Sequence, residues 1–303
     1  ILTADPGYQH VLANGGGTAT ISETDSRLRG RNPAANAGVD LNGDGDVRDT
    51  VRLYQPSNTR TNRYTFLTSL IWEATEQHRF RVAYTFDRGR HRQTGEFGRL
   101  EDDGDPISVF GGKYNTTARV LTADGTAFQN RDRLSIAMLN QLSLEYFGRF
   151  LDNKLTFTAG LRAPWFEREL NQYCFTQVSN GNVRCTTEPV PSGVVIIDPN
   201  APRNPASPPP ANAFYAPFER TVRYNPLLPS AGISYDFDGG HSVYASFGRN
   251  FSSPSTDNLY RSVNIDVDPE TTNSYEAGYR FRSGRIQAQL ATYFVDYKNR
   301  IVT

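Results

Sequence analysis

Oxygen-bearing side chains alternate with small residues in the run DLNGDGD, which holds Asp40, Asn42, Asp44 and Asp46. They match positions 1, 3, 5 and 7 of an EF-hand calcium loop, and a glycine at position 6 allows the sharp turn that such loops need. Position 12 is Val51 instead of the bidentate glutamate, and no helical pattern flanks the run. The sequence therefore leaves two interpretations open, a structural calcium ion or an acidic turn that binds no metal.

A basic stretch with the spacing to attract an anion lies in the first third of the chain, at Arg88, Arg90, His91 and Arg92. Clustered cations in a narrow cavity focus the electric field and raise the local concentration of an anionic ligand. Alternatively, the arginines of this region, including Arg79 and Arg81, pair with carboxylates on neighbouring strands. The candidate carboxylates are Asp87, Glu145, Asp236 and Glu276.

Aromatic residues of the predicted loops form a second set of candidate ligand contacts, because flat rings stack on sugars. They are Tyr114, Phe128, Tyr173, Phe175, Phe214 and Tyr215. The two cysteines, Cys174 and Cys185, flank a turn-forming segment at 179–182, so a small hairpin would bring them together. We predict a disulfide between them, which requires an oxidising compartment.

Catalytic patterns are missing from the sequence. The four histidines have no metal-ligand spacing, and neither a nucleophile elbow nor a phosphate-binding glycine loop is found. The 32 basic and 32 acidic residues balance, which argues against a nucleic-acid partner. We therefore expect a protein that is not an enzyme and that needs no cofactor apart from the calcium ion considered above.

The elements that must position these residues are β-strands, because apolar and polar residues alternate with a period of two. In HRFRVAYTFD, for example, Phe80 and Val82 share one face while Arg79 and Arg81 share the other. The alternation predicts eight strands, at 62–74, 78–88, 133–149, 154–168, 222–237, 241–250, 270–282 and 285–298.

The connections between these strands are short and long in turn, so the long loops collect at one end of the sheet. A transmembrane β-barrel has this asymmetry, with an apolar face toward lipid and a polar lumen. Rings on the apolar strands then predict interfacial girdles at Tyr64, Trp72, Tyr84, Phe86, Tyr146, Trp165, Tyr235, Phe247, Tyr279, Tyr293 and Tyr297. The alternative is a soluble β-sandwich in which these rings fill the core.

The C-terminal third resembles the barrel of TonB-dependent outer-membrane receptors. The resemblance covers residues 225–302 and rests on three parts: the hairpin strand SVYASFGRNF, the phrase DPETTNSYEAGYR and the strand ATYFVDYKNRI. It implies a barrel of the 22-strand type closed around an N-terminal plug, with lipid, an extracellular small molecule and the TonB energy-coupling complex as partners. We expect this chain to supply about eight strands, without the plug.

The fold class is therefore all-β, an antiparallel segment of a transmembrane barrel with long extracellular loops. We expect residues 1–61 to be an extracellular loop region and residues 62–303 to be an incomplete barrel in the outer membrane. The resemblance implies energy-coupled uptake of a scarce ligand, with a ferric siderophore as the family's usual substrate. Uptake of an oligosaccharide, a passive porin and a secreted calcium-binding β-sandwich adhesin are the alternatives.

Overall fold

The chain folds into one large antiparallel sheet with a small four-stranded sheet beside its long loops. The computed structural model describes residues 1–29, 38–178, 183–185, 194–201, 207, 209–261 and 268–300. The predicted all-β antiparallel architecture is confirmed. Among the described residues, no helix has both the length and the apolar character needed to cross a membrane.

Fourteen strands, one 3₁₀ turn and one short helix make up the described secondary structure. In chain order they are β1 Leu2–Ser22, the 3₁₀ turn Ser26–Arg29, β2 Thr50–Glu73, β3 His78–Glu96, β4 Gln129–Phe150, β5 Leu155–Gln172, β6 Phe175–Gln177, β7 Val183–Arg184, β8 Ile196–Ile197, β9 Phe214–Tyr215, β10 Phe218–Tyr224, β11 Leu228–Phe237, β12 His241–Ser252, α1 Thr256–Arg261, β13 Glu270–Ser283 and β14 Ile286–Lys298.

Neighbours in the large sheet follow the chain order, β1-β2-β3-β4-β5-β11-β12-β13-β14, and β10 also pairs with β5. The small sheet has the order β7-β6-β9-β8. All eight predicted strands are present, and several extend beyond their predicted ends toward the long loops. In the described residues, β1 and β14 each have a single neighbour and form the two edges.

The prediction of a loop region over 1–61 is wrong for most of its length. Residues 2–22 form β1, which pairs with β2 from Leu2 opposite Leu70 to Ser22 opposite Thr50. Glycines and Pro6 obscure the alternation of β1, but the backbone of β2 offers partners along the whole strand. Residues 23–49 connect β1 to β2, and residues 30–37 of this connection lie outside the described residues.

The predicted strand 222–237 is interrupted, and two prolines explain the interruption. β10 pairs with β5 up to Tyr224 opposite Phe166, and β11 resumes with Leu228 opposite Arg162. Continuing either register places Pro226 opposite Pro164. Neither residue has an N–H group to donate, so the ladder opens there and closes again in the same register.

The large sheet has one apolar and one polar face, which we call the outer face and the inner face. Cross-strand partners share a face, so the register assigns the sides: Leu70 lies opposite Val82, and Val82 opposite Leu144, all on the outer face. These side chains are exposed, Leu70 by 52% and Leu144 by 43%. In the described part of the chain no second sheet covers them, which excludes the sandwich and fits a lipid-facing surface.

Aromatic rings of the outer face form two groups at different heights. Near the short turns, Trp72, Phe80 and Tyr146 follow one another with ring centroids 5.5 and 5.0 Å apart. Toward the long loops, Tyr8 contacts Tyr64 at 5.1 Å. Tyr64 and Trp72 are eight residues apart in β2, about 26 Å along a strand, which at a tilt of about 40° is roughly 20 Å of height, slightly less than an apolar band of roughly 25 Å.

Two of the predicted girdle residues lie on the wrong face for that role. Tyr293 is the cross-strand partner of Glu276, and Tyr297 is the partner of Thr272, so both point to the inner face. The alternating residues of β14 that share the outer face are Ile286, Leu290 and Phe294. The other nine predicted rings are on the outer face.

The long loops carry a hydrophobic core of their own, which we call the loop core. Ile21 and Leu53 enter it from the inner face at the ends of β1 and β2. Leu28 and Leu41 come from the loop 23–49, and the segment 97–128 adds further apolar side chains. Phe97 and Phe128 of that segment stack at 4.3 Å and are fully buried.

Candidate functional site

The inner face is the surface on which the chain presents polar groups to the space beside the sheet. A cavity of about 630 Å³ lies against it near the short turns, flanked by Arg79, Arg81 and Glu145. Small residues form much of its floor, namely Thr158, Gly160, Ser230, Gly232 and Ser246. The arrangement gives a smooth polar wall with charged side chains on one side.

Ion pairs and hydrogen bonds across neighbouring strands hold the charged groups of the inner face. Arg81 Nη1 donates to Glu145 at 3.2 Å, as one of the two interpretations of the arginines predicted. Asp87 accepts instead from Arg63, with Nε 2.9 Å from Oδ1. These pairs are partly exposed, so each contributes little to stability and mainly fixes side-chain positions.

The basic stretch does not form one cluster. The cross-strand partner of Arg88 is Tyr64, and those of Arg90 and Arg92 on β4 are Ile136 and Leu134, so all three arginines lie on the outer face. Only His91 points inward, where its Nδ1 is 2.7 Å from Thr61 Oγ1. The prediction of a basic patch lining the barrel mouth is therefore wrong for the arginines, because they continue the outward series begun by Phe80.

The predicted aromatic contacts are also divided. Phe128 belongs to the loop core and Phe214 is 4% exposed, so neither ring offers a stacking surface. Tyr114 is 66% exposed, and Tyr173 lies with its ring centroid 4.8 Å from the Arg92 guanidinium carbon. Phe175 and Tyr215 are half-buried in the small sheet, where β6 pairs with β9.

A cluster at the long-loop end of the inner face has no counterpart among the predicted residues. Leu259 and Tyr260 of α1 pack on Leu170 of β5, and the Tyr260 hydroxyl donates to the Leu134 carbonyl at 2.6 Å. Arg168 of β5 donates to Thr256 Oγ1 at 2.7 Å. The segment after β12 is thus fastened onto the inner face. The short DNLYR run has too few residues for a helical period to be recognised.

Burial explains the electrostatics of this cluster. It raises the pKa of the Tyr260 hydroxyl above its ordinary value, so the group stays protonated and remains a donor. The guanidinium carbon of Arg133 lies 4.6 Å from the centroid of the Tyr260 ring, a favourable cation–π position. Tyr260 therefore joins an inward arginine, a β4 carbonyl and an apolar contact.

The acidic run folds into a compact turn in which backbone amides of the run donate hydrogen bonds to its own side chains. Asp40 accepts from the amides of Gly43 and Gly45 at 2.6 and 2.9 Å. Asn42 Nδ2 lies 3.1 Å from a carboxylate oxygen of both Asp44 and Asp49. The carboxylates of Asp46 and Asp49 approach that of Glu23, a residue not predicted as a ligand.

Glu23 is fully buried and accepts from the amides of Leu41 at 2.7 Å and Asp49 at 3.0 Å. It therefore anchors the acidic turn whether or not a cation is bound. Calcium binding by Asp40, Asn42, Asp44 and Asp46 stays a prediction.

The predicted disulfide is present between Cys174 and Cys185, and it joins the two ends of the hairpin β6-β7. The turn at 179–182 lies outside the described residues. Cys174 lies two residues after β5 and Cys185 directly after β7, so the disulfide holds the end of β7 close to the end of β5. β6 also pairs with β9 through the backbone. The long loop 173–217 is thereby held at one end.

Comparisons with known proteins agree with this architecture. The family model described as TonB dependent receptor-like, beta-barrel matches residues 3–303. A ferric-pyoverdine 358 receptor of Pseudomonas putida is 35% identical over 91 residues, which cover 28% of this chain and 10% of that receptor.

Two solved structures give the same fold at low sequence identity. The copper transporter OprC aligns with a TM-score of 0.56 and 14% identity, over 96% of this chain and 35% of OprC. The ferric citrate transporter FecA in its unliganded form aligns with a TM-score of 0.50 and 15% identity, over 81% of this chain and 28% of FecA. The chain thus spans about a third of these structures and a tenth of the pyoverdine receptor.

Proposed function

Since this chain belongs to the TonB-dependent receptor β-barrel family, we propose that it forms part of the barrel wall of an outer-membrane receptor that takes up a ferric siderophore. Transport is energy-coupled, through contact of a plug with the TonB complex. The outer face contacts lipid, the short turns face the periplasm, and the long loops face the cell exterior. Proteins of this family are receptors and transporters, and we assign no enzymatic activity to the chain.

We base the choice of ligand on the match to a ferric-pyoverdine receptor, which is 35% identical over 91 residues. The chemistry of the inner face is consistent with that ligand. Arg79 and Arg81 line its cavity together with Glu145, which pairs with Arg81, so one positive charge is left in excess to attract an anionic iron chelate. The segment around Tyr260 and the disulfide-linked loop lie where an incoming ligand would first meet the barrel.

Uptake of an oligosaccharide has less support from the loops. Sugar binding needs exposed rings, and two of the six candidate rings, Phe128 and Phe214, are buried. Tyr114 and Tyr173 lie close to outward-facing basic residues rather than on the inner face. These positions favour the siderophore over the sugar.

Uptake of iron-loaded pyoverdine under iron limitation tests the proposal. A strain that lacks the receptor is compared with the same strain carrying the receptor on a plasmid, with radioactive iron as the label. We expect uptake only in the complemented strain, and we expect a protonophore to abolish it because transport is energy-coupled.

Each alternative has its own signature in this experiment. Uptake that persists with the protonophore would indicate a passive porin. Equal uptake in both strains, together with receptor-dependent growth on an oligosaccharide, would replace the siderophore by a sugar.

A further inference from the structure

A groove on the outer face, above the upper aromatic group, is lined by four cationic side chains. We call it the outward basic groove; its cations are Arg60, Arg90, Arg92 and Lys113. Its volume is about 260 Å³, and no carboxylate is among its lining residues. Siderophore uptake through the lumen makes no use of this surface, because the outer face points away from the lumen.

The register of β1, β2 and β3 fixes the height of the groove. Tyr8 and Tyr64 are cross-strand partners in the upper aromatic group, and Arg88 is the next partner of Tyr64. Arg90 is two residues further toward the long loops and Arg92 is four, which is about 13 Å along a strand. In a membrane whose interface is marked by the rings, this is the level of the lipid headgroups.

Like charges are brought together in the groove. Arg60 and Arg92 are direct cross-strand partners, an arrangement that is destabilising when nothing compensates it. Asp132 pairs with Arg92, whereas Arg60 and Arg90 have no salt-bridge partner among the described residues. Two cations are thus left to attract an anion.

Lys113 adds a third unit of charge at the top of the groove. Its ammonium group donates to Thr94 Oγ1 at 2.7 Å and makes no ion pair in the described chain. Burial is the main cause that lowers the pKa of Lys113; of its charged neighbours, Glu96 and Asp132 raise it, whereas Arg92 and Arg60 lower it. An anion bound between these groups would raise the pKa of Lys113 by favouring its charged form.

The groove also has a preformed apolar side. Leu12 is 57% exposed on one edge, and the rings of Phe110 and Tyr114 meet at 5.7 Å on the other. The segment that carries these rings is fixed to the sheet, because Asn58 Nδ2 donates to the Phe110 carbonyl at 2.8 Å. The site therefore offers cations next to apolar surface, as an amphiphile requires.

We propose that the outward basic groove binds the phosphate-bearing headgroup of a lipid in the outer leaflet, whose acyl chains run down the outer face past Tyr8. The guanidinium groups of Arg60 and Arg90 contact the phosphate, and Lys113 closes the site from above. Leu12 and Tyr114 contact the apolar part of the headgroup region. This inference rests on the proposed membrane orientation but not on the identity of the transported ligand.

Lipid binding by the purified receptor in detergent micelles tests the proposal. The probe is lipid A with both phosphates, and the comparison probes are dephosphorylated lipid A and inorganic phosphate. The variant is the double substitution Arg60→Gln and Arg90→Gln, and the matched control is the double substitution Arg280→Gln and Arg282→Gln on the inner face of β13. Heat-dependent migration in gels confirms that each variant is folded.

We expect the double variant to bind phosphorylated lipid A about thirtyfold more weakly, and the control to bind it like the unchanged receptor. Dephosphorylated lipid A should bind as weakly to the unchanged receptor as the phosphorylated lipid binds to the double variant. Equal binding of both lipids, or an equal loss in the control, would overturn the proposal. Inorganic phosphate that binds as tightly as the lipid would replace it by a simple anion site.

The same preparations separate this inference from the proposed function. If the receptor binds the lipid but does not take up iron-loaded pyoverdine, only the proposed siderophore uptake is refuted. If the receptor transports the siderophore but binds phosphorylated and dephosphorylated lipid A equally, only the proposed lipid site is refuted.

Discussion

Phe86 and Asp87 are adjacent in β3, and their side chains lie on opposite faces of the sheet. Phe86 is the cross-strand partner of Phe66 on the outer face, while Asp87 accepts from Arg63 on the inner face. A single peptide unit thus separates a lipid-facing ring from an ion pair, as expected for a strand whose side chains alternate.

Spin labels at neighbouring positions of β3 test this assignment of faces. We expect a nitroxide at Phe86→Cys to collide mainly with oxygen, which concentrates in lipid, and one at Thr85→Cys to collide mainly with a water-soluble nickel complex. The measurement is made by power saturation with the receptor in lipid bilayers. Equal accessibility of both labels would contradict the lipid-facing role of the outer face.

The gap between β10 and β11 should close when its prolines are replaced. The double substitution Pro164→Ala and Pro226→Ala restores two N–H donors, each able to contribute roughly 0.5–1.5 kcal/mol if the ladder forms. We expect slower hydrogen exchange for amides 225–227 in the double variant. The single variant Pro226→Ala is the control, and unchanged exchange in the double variant would show that other residues cause the gap.

Two neighbouring glycines of one short turn separate backbone strain from steric contact. Gly239 and Gly240 have φ of +85° and +84°, so alanine at either costs about 1–2 kcal/mol. At Gly240 the added Cβ would also lie 1.9 Å from the Arg282 carbonyl oxygen, whereas at Gly239 the nearest atom is 3.5 Å away. We expect Gly240→Ala to lower the urea midpoint clearly more than Gly239→Ala; equal losses would mean that the turn moves to relieve the contact.

Removing one hydroxyl should loosen the attachment of α1. Tyr260→Phe deletes the bond to the Leu134 carbonyl but keeps the ring over Arg133, and we expect a local loss of about 1–2 kcal/mol. Limited proteolysis in the segment 253–261 should become faster, with the sheet unaffected. Tyr260→Leu, which also removes the cation–π contact, should be cleaved faster still. Equal rates for the two variants would show that the cation–π contact adds nothing, and rates equal to that of the unchanged protein would assign the attachment to apolar packing alone.

The acidic turn should respond to pH through Asp49. Its hydrogen bond with Asp44 is the main cause that raises the pKa of Asp49 above its ordinary value, so the folded turn holds a proton that the unfolded chain has released. Stability of the turn therefore falls as pH rises through the window between those two values. Asp49→Asn should remove this dependence, as measured by protease resistance of the loop 23–49.

The same titration in calcium chloride tests the predicted metal site. A bound cation competes with the proton, so calcium binding would move the transition of the unchanged protein to lower pH. A transition that stays in place with calcium would leave the acidic turn as a metal-free structure.

Periodicity was sufficient to predict the eight strands, because lipid on one side and polar contacts on the other impose a strict alternation. It failed for β1, where Pro6 and the glycines at 15–17 interrupt the alternation and only pairing with β2 defines the strand. The outward orientation of Arg88, Arg90 and Arg92 could have been predicted from the sequence, because they continue the even-numbered series of Phe80 and Val82. Their charge suggested the lumen, but the strand continues beyond the apolar band.

Residues in loops were harder to predict, because their surroundings come from distant parts of the chain. Cys174 and Cys185 are close in sequence, so their disulfide could be predicted and is confirmed. Phe128 is buried by Phe97 and by residues of another loop, and Glu23 reaches the acidic turn from the end of β1. Neither relationship has a signal in local spacing.

The loop core has a consequence for how the protein is made. Because Phe97, Phe128 and Leu41 shield one another, this part of the exterior can consolidate independently, once strand pairing has brought its pieces together. We therefore expect the strands to pair first and the loop core to pack afterwards. A defect in these buried rings would disturb the loops around them and leave the paired strands of the large sheet in place.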